Sequence, residues 1–125
     1  MTNKTEVLDI LRKADATLSD PSKWNNTGGA AKTADGYSTA SWSSDACKWC
    51  MAGAIWKNDP SRDHGSDLVR AAEVQILKTI YPNGDKNEPG LVTPIFTWND
   101  AYGTTFEMVK KVFADTIARL EKEDV

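Results

Sequence analysis

The sequence predicts an α+β fold that is predominantly α, with about four helices packed around a central apolar helix near residues 45–57 and a small β-hairpin or short antiparallel sheet. Three observations predict it. Apolar residues recur at helical spacing near both ends of the chain, in Glu6 to Leu18 and Phe106 to Leu120. The segment Ala46 to Trp56 is apolar almost all round, as a helix surrounded by other elements is. The stretch Trp24 to Trp42 is rich in Gly, Ser, Thr and Ala and carries Asp35-Gly36, a strong turn signal.

In chain order, Val7, Leu11, Ala14 and Leu18 put a first helix on one apolar face, and Asn3 and Glu6 have capping-box spacing. Asp20-Pro21 ends it, and a hairpin is expected between Trp24 and Trp42. Ser43, Ser44 and Asp45 offer cap oxygens and negative charge to a second helix beginning there. Gly53 costs about 1 kcal/mol in a helix relative to Ala, so its place beside Cys50 and Ala54 predicts the close passage of another backbone. Asn58 to Gly65 is a loop holding the only histidine, His64. Ser66-Asp67 then caps a third helix bearing Val69, Ala72, Ile76, Leu77 and Ile80. Tyr81-Pro82-Asn83-Gly84 stops it, and a polar loop, Asp85 to Gly90, follows. LVTPIFTW is β-prone, and Pro94 makes it an edge strand or extended chain. Thr104 and Glu107 read as a capping box for a last helix with Phe106, Val109, Val112, Phe113, Ile117 and Leu120 along its stripe. No repeat or linker interrupts the chain, so one globular domain spanning 1–125 is expected, long enough to bury roughly two-thirds of its unfolded surface.

Composition narrows the functional classes. The 125 residues are 40% hydrophobic and 26% charged with a formal net charge of -3, and no basic run exceeds Lys110-Lys111. The footprint of a phosphate-backbone binder is missing, so nucleic acid is not an expected partner. No apolar stretch approaches the ~20 residues of a membrane span, and the charged N-terminus is unlike a signal peptide. The two cysteines are therefore expected as free thiols in a cytoplasm.

Four groups of residues could carry chemistry. Cys47-Lys48-Trp49-Cys50 is a C-x-x-C at the start of the expected second helix, where the dipole would favour a thiolate. No clear strand precedes it, however, and two small buried hydrophobes explain it as well. A closed zinc shell would have to add His64 and a carboxylate to both thiols, so no metal is expected. Cys50, His64 and Asn99 or Asp100 follow the chain order of papain-like hydrolases, in which histidine activates the thiol and an amide or carboxylate orients it. A thiol one turn inside a helix should instead be buried and inert. Finally, there are five tryptophans, of which Trp49 and Trp56 lie seven apart on the expected helix, and Trp98 is followed by the polar pair Asn99-Asp100. Aromatic walls suit ligand pockets, although they also fill small cores.

Lys48-Trp49-Cys50 with Gly53-Ala54, and Trp98-Asn99-Asp100 with Gly103-Thr104-Thr105 and Val109, resemble a domain family of unknown function found in bacteriophage and actinobacterial genomes. The first helix and Trp24 also fit, so the resemblance covers nearly the whole chain. It implies that Cys50 rather than Cys47 belongs to the W-C-x-x-G-A motif, which weakens any mechanism requiring both thiols. It also implies that Trp49-Cys50 and the W-N-D residues meet in space, as a structural clasp or one end of a pocket. It supplies no reaction and no cofactor.

The expected function is that of a small cytosolic accessory protein, phage-encoded, which binds a host protein or a small ligand; an inhibitor of host defence would fit. Trp49, Trp98, Asn99 and Asp100 are the candidate ligand-binding residues. The alternative is a cysteine-dependent hydrolase or transferase with Cys50 as nucleophile, His64 as base and Asp100 or Asn99 as orienting group. The sequence leaves the oligomeric state open.

Overall fold

The computed structural model describes residues 3–83 and 93–123. Its elements run α1 (Lys4–Thr17), a 3-10 turn (Pro21–Lys23), β1 (Ala31–Thr33), β2 (Ser38–Thr39), β3 (Ala46–Trp49), α2 (Met51–Lys57), α3 (Asp67–Ile80), α4 (Thr93–Asp100) and α5 (Phe106–Lys122). This is a predominantly α, α+β fold with a small antiparallel sheet in the order β2-β1-β3.

α1 starts where its capping box places it: Asn3 Oδ1 accepts from the Glu6 backbone N–H, and Glu6 reaches back to the Asn3 N–H. Its apolar face, with Val7, Leu8, Ile10, Leu11 and Ala14 buried, packs on α2, α3 and α5. Ser66 caps α3 by accepting from the Val69 N–H. The hairpin β1–β2 turns at Asp35-Gly36, where Gly36 has φ of 88°.

The core centres on α2. Met51, Ala52, Ala54 and Ile55 are fully buried, and α2 contacts α1, α3, α4 and β3. The close backbone approach at Gly53 is real: a Cβ there would stand 2.0 Å from the Ala30 carbonyl oxygen. That same oxygen accepts the Cys50 N–H at 3.0 Å, so the chain entering β1 seals one exposed donor at the start of α2.

Four local expectations are corrected. The central helix begins at Met51, not near residue 45, because Ala46–Trp49 pairs with β1 as a strand. A short apolar run does not distinguish strand from buried helix, and here the available β1 edge decides it. Trp49 and Trp56 consequently lie on different elements, not on one helical face. The segment expected as an edge strand is helical from Thr93: Pro94 occupies the first turn, where its missing N–H costs nothing, and Ile95 and Asn99 face inward. Leu91, Val92 and the loop Asp85 to Gly90 lie outside the described residues. α5 is capped by Thr105, whose Oγ1 accepts from the Met108 N–H, while Thr104 donates to the Trp98 carbonyl and fastens α4 to α5.

Candidate functional site

Asn99 is the point at which the two motifs meet. Its side chain is fully buried near the end of α4. Its Oδ1 accepts from Trp24 Nε1 at 2.8 Å and from the Met51 N–H at 3.1 Å. Its Nδ2 donates to the Asn25 carbonyl at 2.9 Å and to Asp100 Oδ1 at 2.8 Å. Two acceptances and two donations use the full capacity of an amide side chain. One residue thus joins α4, the first turn of α2 and the loop after the 3-10 turn. Trp98, beside it, is half-buried against the core.

Cys50 is the N-cap of α2, with its Sγ accepting from the Gly53 N–H at 3.3 Å. Burial pushes its thiol up to about 12, against the Gly53 and Ala52 backbone N–H groups that pull it down, and the charge of Asp100 adds to the rise. Cys47 is exposed on the bulged strand β3. Trp49 is buried, donates to the Ser41 carbonyl and carries the Lys57 ammonium 5.3 Å from its ring centre. Of the residues singled out in the sequence, then, Cys50, Asn99 and Asp100 are gathered in one place.

His64 is elsewhere. Its ring centre lies 5.0 Å from that of Trp56, the two planes tilted by 43°, and Trp56 is six residues along α2 from Cys50, a rise of about 9 Å. Its loop is organised by Asp59, which accepts from Ser61, Ser66 and the Asp63 N–H. Burial opposes ionisation of Asp59, yet these donors together hold it below its ordinary value.

Trp56 also meets Phe96 edge-on at 5.7 Å and donates from Nε1 to Glu73 Oε2 at 2.8 Å. Glu73 is buried in the middle of α3; burial raises its carboxyl to about 7, while Trp56 and the Arg70 charge pull the other way. Sequence reading passed over Glu73. Its signal was present: it follows Ala72 and stands three residues before Ile76, which brings it to the edge of the apolar stripe.

A cleft of about 120 Å³ opens beside the hub, lined among others by Trp24, Asn25, Asn26, Thr27, Lys32 and Lys48. Its rim is fixed, because Asn25 Nδ2 donates to the Gly28 and Gly29 carbonyls and its Oδ1 accepts from Thr27. Trp24 in turn is held by Asn99 and by a bridge to Trp49. Among the described residues, no group of three or more His, Cys, Asp and Glu side chains is placed to hold a metal ion, and no helix is long and apolar enough to cross a membrane.

Fold and site together define a small α+β domain in which a buried asparagine clasps two tryptophan motifs and positions an aromatic, polar cleft. The chain belongs to the family of unknown function DUF6197, whose model matches residues 2–119. No curated protein and no solved structure matches it.

Proposed function

We propose that this protein acts by binding, as a small accessory domain without chemistry of its own, and that its ligand is a host protein or a small molecule. The observation that carries this reading is the inward direction of the motif residues. Cys50 accepts from the Gly53 backbone and Asp100 from Asn99, while Asn99 bonds the Met51 backbone and, through Trp24, holds one wall of an open cleft. Exposed Tyr37 and Tyr102 add aromatic surface of the kind that partner proteins engage. The resemblance to phage and actinobacterial sequences supports a phage-encoded protein acting in a bacterial cytoplasm, with inhibition of host defence as one such role.

The competing reading, a hydrolase or transferase using Cys50, requires His64 to reach a thiol that lies at the other end of α2. Native mass spectrometry of the protein purified from bacterial lysate separates the two. Binding predicts a stoichiometric added mass, small molecule or protein. A bare chain whose Cys50 is trapped as a covalent intermediate would overturn the binding reading.

A further inference from the structure

The ladder between β1 and β3 sets Lys32 directly opposite Lys48. The neighbouring pair, Ala31 and Trp49, is buried in the core, so the lysine pair stands on the opposite face of the sheet. Like charges directly opposite one another across antiparallel strands oppose the pairing. Nothing relieves them here: among the described residues neither lysine forms an ion pair, while five other cations do. Both lysines line the 120 Å³ cleft, and no carboxylate does. In a chain of net charge -3, two lysines that form no ion pair among the described residues flank one small concave site.

We propose that the Lys32–Lys48 cleft is a binding site for a small oxyanion of phosphate type, free or carried on a small molecule. Two ammonium groups supply charge-assisted hydrogen bonds, and the Thr27 hydroxyl and Asn26 amide are further polar groups of the lining. The volume suits one such group with little more attached, since whole-ligand pockets start at roughly 300 Å³. The rim is preorganised by Asn25, and the Trp24 wall is held by Asn99, so little ordering accompanies binding. The W-N-D motif thereby acts as a positioning device for the cleft. This inference rests on the binding reading above and names its ligand class.

The test is a titration of the purified full chain with inorganic phosphate, and separately with glycerol phosphate, followed by the backbone amide shifts of Thr27, Lys32 and Lys48. Saturable shifts confined to these residues are expected with phosphate, and a response to glycerol phosphate as well would identify a carried group. Lys32→Gln and Lys48→Gln should each weaken binding at least about tenfold, whereas Lys78→Gln, an exposed lysine on α3, should leave it unchanged. Without anion, Lys48→Gln should melt no lower than the wild type, because it removes a like-charge pair. Absence of saturation with both anions, equal loss in Lys78→Gln, or a clear drop in the melting temperature of Lys48→Gln would each overturn the proposal. A failed titration alongside a stoichiometric ligand in native mass spectrometry would sink this inference and leave the binding reading standing.

Discussion

At the scale of single residues, the largest consequence belongs to Asn99. Replacing it with Leu keeps the volume but takes the partner from the partly buried Trp24 indole N–H and from the buried Met51 N–H and Asn25 carbonyl. Each lost partner costs about 1–3 kcal/mol, so Asn99→Leu should destabilise by at least about 3 kcal/mol in urea unfolding. A loss under 1 kcal/mol would show that the hub does not hold the motifs together. Glu73 gives a prediction of a different kind. Its native carboxyl titrates near 7 against an ordinary value of 4.5, so the native state binds this proton more tightly than the unfolded chain. The contribution is therefore favourable at low pH and is lost as pH rises from 4.5 through 7, on the order of 3 kcal/mol in all. Glu73→Gln keeps an acceptor for Trp56 and removes the charge. Unfolding free energies measured between pH 5 and 8 should then lose this downward slope, and an unchanged slope would assign it to another group.

Among elements, what the sequence disclosed follows from how local each signal is. Asn3 and Glu6 carry their own capping geometry, and Ser66 does the same, so α1 and α3 were legible with their starts. Gly53 also announced itself, since glycine inside an apolar helix has few reasons other than a neighbouring backbone. β3 was not legible. Ala46 to Trp49 is apolar enough for helix, and only the register with Ala31 and Lys32, set about fifteen residues away, makes it a strand. α4 was hidden for a related reason: Pro94 argues equally for an edge strand and for a first helical turn, and the inward placement of Ile95 and Asn99 selects the helix. The junction at Gly53 supports a direct test. Gly53→Ala places a methyl group 2.0 Å from the Ala30 oxygen, and the obstacle is backbone rather than a movable side chain. Circular dichroism melts should show a loss at or above the upper end of the ~1–3 kcal/mol range for overpacking. A variant as stable as the wild type would mean that the β1 entry can slide away from α2.

For the whole molecule, the α+β class with its helical majority was readable from periodicity and from one Gly/Ser/Thr-rich stretch. Part of the site was readable too. The W-C-x-x-G-A and W-N-D motifs do meet, and the contact is a hydrogen-bonded clasp centred on Asn99. The remaining parts depend on long-range register. The Lys32–Lys48 pair exists only once β1 and β3 align, and the Glu73–Trp56–His64–Phe96 cluster needs α2, α3, α4 and the His64 loop assembled. No spacing along the chain encodes either. One division of labour runs through the molecule: the conspicuous polar residues of the two motifs hold the fold, and the proposed binding falls to the outward surface. Thiol labelling tests that division most directly. The native protein, treated with iodoacetamide at neutral pH and read by intact and peptide mass, should be modified at exposed Cys47 and untouched at Cys50, with Cys50 reacting only after unfolding. Rapid native modification of Cys50 would contradict the account, because it would show the buried cap to be an accessible, activated thiolate.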